Sequence, residues 1–137
     1  MTMKSQLIPA ISYRDCVRMI DWLCDAFGFK KNAVYMESDD TVAHAQLTLG
    51  DGMVMLSSYQ KQGEMRSSFA MPDEVGGRET QTCCVITEDC DGVYASAKAA
   101  GAKMILDLKE QDYGGKSFSC ADPEGHIWHV GSYNPWA

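Results

Sequence analysis

Apolar positions along this chain recur in two periods, and the whole cycle is played twice. Val17, Ile20, Leu23, Cys24 and Phe27 follow one another at three- and four-residue steps, the spacing of one helix face. Asp15 stands where an N-cap is needed and Gly28 where a left-handed cap ends the helix. A short strand at 7–13, with Pro9 near its start, precedes this helix. Strand-like runs at 29–36, 42–49 and 53–59 follow it, and Asp51-Gly52 is read as the tight hairpin between the last two. The second half repeats the order. A strand at 80–87 leads to Asp89 or Asp91 as cap, and Val93, Tyr94, Ala97 and Ala100 form a helical stripe stopped by Gly101. Strands at 103–108, 116–121 and 126–133 complete it, the last two joined through Asp122-Pro123-Glu124-Gly125. Gly101 lies 101 − 28 = 73 residues after Gly28, and Glu124 lies 124 − 51 = 73 after Asp51. The pattern predicts two β-α-β-β-β modules, about 5–59 and about 80–134, in one domain spanning 1–137.

Strand alternation then sorts side chains by face. In 42–49, Ala45, Leu47 and Leu49 oppose His44, Gln46 and Thr48; in 53–57, Val54 and Leu56 oppose Met53, Met55 and Ser57. In 126–131, Trp128 and Val130 oppose Ile127, His129 and Gly131. The smoother aliphatic faces are expected under the helices, with Trp128 in the core and Trp22 either core or interface. The mixed faces, carrying Met, Ser, Thr and His, are expected to curl into a small-molecule pocket, or else to pack together or be wetted. His44 and His129 sit on them as either a general base, a donor to a bound oxyanion, or a hydrogen-bonded wall residue. His126, directly after the turn, is expected to face solvent, and Asp122 to Gly125 to serve turn geometry. Tyr113, before Gly114-Gly115, is read as a lip over the pocket or a turn aromatic at the sheet edge. The polar connection at about 60–79 is either a mobile lid or a linker between modules.

Composition narrows the function. A formal net charge of −7 disfavours nucleic acid and anionic membrane as partners. No apolar run is long enough to span a bilayer, and the first ten residues lack the apolar stretch of a signal peptide. The six cysteines form no C-x-x-C pair and are read as reduced thiols of a cytoplasmic protein, Cys84 being the one whose strand parity leaves its role open. Nucleophile-elbow, phosphate-loop and H-E-x-x-H motifs are absent.

Asp15 with Ala26-Phe27-Gly28-Phe29, His44-Ala45-Gln46-Leu47 and Gly50 through Leu56 form a recognisable series in the first module. Ala99 to Ala102, Tyr113-Gly114 and Asp122 through Trp128 continue it in the second. The ensemble resembles the vicinal oxygen chelate superfamily of glyoxalase I, extradiol dioxygenases and bleomycin-resistance proteins, most of all its PhnB-like subgroup. The resemblance implies an α+β fold: two βαβββ modules whose curved mixed sheets form a concave cleft, helices on the convex faces, paired or swapped in a homodimer. It also implies, in metal-using members, a divalent ion held by the first and last strands of each module. The matching positions here are about Ile8, Met55, Thr82 and His129, of which only His129 is a good ligand. Gln6, Gln81 and Cys84 are the nearby substitutes. No metal or other cofactor is therefore expected. The function expected is metal-independent binding of a small, partly apolar molecule, as in resistance-type sequestration. Its site would comprise His44, Gln46, Met53, Met55, Ser57, Thr82, Cys84, Tyr113 and His129. The alternatives are a metal-dependent lyase, isomerase or dioxygenase with an atypical ligand set including His129, and a metal-free enzyme using His44 or His129.

Overall fold

The computed structural model describes residues 3–60 and 63–137. Strand β1 (Ala10–Tyr13) leads into helix α1 (Cys16–Phe27), followed by β2 (Lys30–Met36), β3 (Val42–Leu49) and β4 (Gly52–Ser58). The second module runs β5 (Cys83–Ile86), α2 (Cys90–Ala99), β6 (Lys103–Glu110), β7 (Lys116–Ala121) and β8 (Ile127–Gly131). The sheets are ordered β1-β4-β3-β2 and β5-β8-β7-β6, each with one parallel pair at its edge. Strands β1, β5 and β8 are shorter than the sequence pattern predicts. Ile8, Pro9 and Thr82 lie just ahead of their strands.

Local chemistry sets the helix ends. The Asp15 side chain accepts from Arg18 N, and Gly28, at φ +85°, sends its N–H to the Cys24 carbonyl. Asp89 caps α2 by accepting from Gly92 N. Asp91, the other candidate, faces outward and pairs with Lys116 at 3.2 Å. Gly101, at φ +95°, terminates α2, and the Ala102 N–H returns to the Ala97 carbonyl at 3.0 Å. The β3–β4 hairpin turns one residue earlier than predicted. Leu49 pairs with Gly52, so the loop is Gly50-Asp51, with Gly50 supplying the positive φ of +56°.

Each sheet buries one face beneath the helices, and both buried faces feed one core. Ala45, Leu47, Val54 and Leu56 from the first sheet join Phe118, Cys120, Trp128 and Val130 from the second. Trp128 is 1% exposed, with Phe27 and Phe29 ring centroids at 5.0 and 5.8 Å. Val17, predicted on the core face of α1, is 40% exposed; Met19, Trp22 and Ala26 take its place. The helices also bind each other directly. Trp22 Nε1 donates to the Ala100 carbonyl at 2.8 Å, and Ser96 Oγ to the Ala26 carbonyl at 2.7 Å. Among the described residues α1 and α2 are the only regular elements whose backbones approach closely across the modules; the sheets' open faces do not meet within one chain.

Over its described part the connection between modules packs against the first module. Short 3-10 turns at Arg66–Ser68 and Pro72–Val75 dock it, with Met71 fully buried. Glu74 accepts from Met71 N and Tyr59 Oη, and Asp73 pairs with Arg14 at 2.8 Å.

Candidate functional site

The structure divides the nine predicted site residues into three groups. His44, Gln46, Met53, Met55 and Ser57 share the open face of the first sheet, where Gln46 pairs with Met55, and Ser12 with Ser57. The Asn32 amide donates to Gln46 Oε1 at 2.8 Å, which turns the Gln46 amide nitrogen toward His44 Nε2 at 3.1 Å. Tyr35 stacks on the His44 ring at 6.2 Å between centroids. The result is a polar row (Asn32, Gln46, His44) alongside a thioether row (Met53, Met55).

Cys84 and His129 share the open face of the second sheet as register partners. Ser119 Oγ lies 2.8 Å from His129 Nδ1, fixing the ring and leaving Nε2 free for a guest. Thr82 precedes β5 on the same parity. Tyr113 belongs with neither group: it is exposed and packs edge-on against Tyr133, a turn aromatic at the sheet edge.

The register also decides a point of symmetry. A strict 73-residue offset would equate Met55 with Trp128, yet Met55 lies on an open face and Trp128 in the core. The β7–β8 loop is longer: Ala121 pairs with Ile127, leaving five residues, against two between Leu49 and Gly52. Met55 and His129 therefore occupy like faces.

The metal that the fold family implies does not suit these residues. The four matching positions offer a thioether at Met55, a hydroxyl at Thr82, an imidazole at His129 and a hydrocarbon at Ile8. Among the described residues no three His, Cys, Asp or Glu side chains converge as a ligand group. Burial raises the thiols of Cys16 and Cys120 to about 12 and that of Cys83 to about 11, so none of the three supplies a thiolate at neutral pH.

Sequence reasoning missed the polar seam between modules. Asp122, buried, accepts from Tyr13 Oη at 2.6 Å and Trp128 Nε1 at 3.1 Å, and also from the N–H groups of Glu124 and His126. Glu124 accepts from the backbone N–H groups of Arg14 and Asp15 at 2.6 and 2.8 Å. His126, expected in solvent, instead fills the seam. Its Nδ1 faces Glu79 Oε1 at 2.5 Å and its Nε2 faces the Ser12 carbonyl at 3.0 Å. The Ser12 carbonyl and an ionised Glu79 are both acceptors, so with both ring nitrogens donating the ring pairs with the carboxylate as an imidazolium. Burial opposes that charge, but Glu79, Asp122 and the Ser12 carbonyl outweigh it and raise the His126 pKa above 6.5. Nothing in the sequence singles out Glu79; the Asp-Pro-Glu-Gly turn was visible, and its reach across the modules was not.

The Glyoxalase/Bleomycin resistance protein/Dioxygenase superfamily model matches residues 8–130. The chain belongs to that superfamily. The match speaks to the superfamily and assigns no subgroup. Uncharacterised proteins of Mycobacterium bovis and Mycobacterium tuberculosis are 29% identical over 125 residues, covering 91% of this chain and 81% and 72% of theirs. Among solved structures, TioX from Micromonospora sp. ML1 superposes with a TM-score of 0.72 at 26% identity, covering 96% of this chain and all of that one. The fosfomycin resistance protein FosX from Mesorhizobium loti superposes at 0.66 with 16% identity, covering 98% and 97%, a likeness of fold. The superfamily holds both metal-dependent enzymes and resistance proteins, so membership leaves the chemistry to the site. No described helix is long and apolar enough to cross a membrane.

Proposed function

We propose that this protein binds a small, partly apolar molecule on the open sheet faces without a metal ion. The observation that carries the reading is the chemistry of those faces. The chain has 19 acidic residues, yet β1, β2, β3, β4, β5, β7 and β8 contain none. In β6, Asp107 bonds Tyr94 of α2 on the helix side, and Glu110 closes the strand. Hard cations want carboxylates, and these walls offer thioethers, hydroxyls, amides and two imidazoles instead. Met53 and Met55 give a polarizable, adaptable surface for an apolar guest. The Asn32-Gln46-His44 row and the Ser119-held His129 give it directional polar contacts.

The same faces favour a second copy as the partner. Tyr35 and Leu106 stand exposed on the open faces, as register partners of His44 and Ser119, and one chain does not bring its two open faces together. Pairing through a two-fold axis would place the first sheet of one copy against the second sheet of the other and enclose the guest. The net charge of −7 gives no footing for nucleic acid or anionic lipid.

Elemental analysis of the purified protein tests the metal-free reading, and sedimentation tests the pairing. Substoichiometric metal is expected, with unchanged stability after chelation. Bleomycin, titrated into chelator-treated protein, serves as the ligand probe, and a stability gain that Met55→Lys removes is the expected outcome. One tightly held equivalent of Zn, Ni or Fe would instead favour a metal-dependent lyase, isomerase or dioxygenase.

A further inference from the structure

A second candidate site lies where the modules meet, and it reaches the open-face parity at Thr82 and Ile127. It is a cleft of about 620 Å³ where the segment before β1, the docked connection and the segment before β5 meet the start of β8. That volume falls within the range of roughly 300–1,000 Å³ typical of small-molecule clefts. Its apolar wall is Leu7, Ile8, Pro9, Phe69, Val75 and Trp128. Leu7 at 98% and Phe69 at 55% are strongly exposed, apolar surface gathered in one place.

The charged groups are few and unequal. Arg78 is the only Lys or Arg lining the cleft, and Glu79 the only acid. Glu79 is already engaged at both oxygens, by His126 Nδ1 and Ile127 N. Arg78 is exposed and, among the described residues, makes no ion pair, unlike Arg14 and Arg66. With the imidazolium and Glu79 cancelling, the cleft carries one uncommitted guanidinium in a protein of net charge −7. A guanidinium fork matches a planar carboxylate, and the apolar wall matches a hydrocarbon tail.

We propose that this cleft binds a small monocarboxylate with an apolar tail, the carboxylate on Arg78 and the tail against Phe69, Leu7 and Val75. Both His126 nitrogens are occupied, so the site holds its guest and does not transfer a proton. The cleft shares Thr82 with the open-face site, but the proposal rests on Arg78 and Phe69, which belong to the connection and not to either sheet, so Arg78→Gln tests it separately.

Calorimetric titration with octanoate and its neutral isostere octanamide, at low salt and pH 7, tests this. Octanoate is expected to bind about tenfold or more tighter, the scale of one charged hydrogen-bonded contact. Arg78→Gln should erase that preference, and Phe69→Ser should weaken both compounds. Lys98→Gln, which removes a surface cation on α2 outside the cleft lining, should change neither. Thermal melts of each variant establish that it is folded. No octanoate binding, equal binding of acid and amide, a preference that survives Arg78→Gln, or loss of binding in Lys98→Gln would each overturn the proposal.

Discussion

The two modules close their last hairpin in different ways. The first does so with two residues, Gly50-Asp51, and the second with five, Asp122 to His126. Asp51 is exposed and makes no side-chain hydrogen bond among the described residues, so its loop only turns the chain. In the second module the longer loop reaches back to the first. Asp122 binds Tyr13, Glu124 binds the backbone before α1, and His126 binds the Ser12 carbonyl. A duplicated unit thus has one copy whose turn remained a turn and another whose turn became the joint. Three extra residues supply all of that difference, because they lift polar side chains to the reach of β1.

Substitution at the paired loops breaks the comparison most sharply. Asp122→Ala would strand Tyr13 Oη and Trp128 Nε1, both buried, along with two backbone N–H groups. A loss of about 3–5 kcal/mol in urea unfolding is expected, the scale for breaking a buried charged network. Asp51→Ala should stay within about 0.5 kcal/mol. Equal effects would mean the joint carries no special stability. The loop glycines give the next contrast. A Cβ on Gly125 (φ +91°) would sit 3.0 Å from Pro72 Cβ, whereas one on Gly50 (φ +56°) meets nothing within 4 Å. Both substitutions to Ala carry the positive-φ penalty of about 1 kcal/mol, and only Gly125→Ala adds a clash, for about 2 kcal/mol together.

What the sequence disclosed follows the same division. The helices, their caps at Asp15 and Gly28, and the buried sides of β3, β4 and β8 were legible because period and parity are local properties. The open-face residues His44, Met53, Met55 and His129 were placed correctly by parity. The grouping of Thr82, Cys84 and Tyr113 with them was not decidable from periodicity, since it depends on where the sheets lie in space. His126 was misplaced for a related reason. A His just after a turn is solvent-facing unless something distant comes to it, and Glu79 lies 126 − 79 = 47 residues away. Val17 failed differently: the buried arc of α1 is rotated away from it, toward Met19, Trp22 and Ala26.

Smaller effects sharpen the comparison. Glu124 accepts two backbone N–H groups at the entry to α1, a capping role delivered from the other module. Glu124→Ala is expected to cost about 1 kcal/mol, the usual worth of a cap. Its additivity with Asp15→Ala would report whether the two carboxylates cap the helix independently.

The last expectation concerns pH. The folded His126 pKa is raised above its ordinary 6.5, so the folded chain keeps a proton that the unfolded chain releases. Its stabilisation is fully present below pH 6.5 and is lost as pH rises through the folded value. One proton limits the slope to about 1.4 kcal/mol per pH unit. Glu79, Asp122 and the Tyr13 ring face the imidazolium. Burial raises Asp122 too, and that works in the same direction, with a window that opens at 3.8. Urea midpoints measured from pH 6 to 9 should therefore fall in the native protein and flatten in His126→Gln. A slope that survives His126→Gln would place the titrating group outside the joint. Only the five-residue turn would then differ between the modules in geometry, and not in charge.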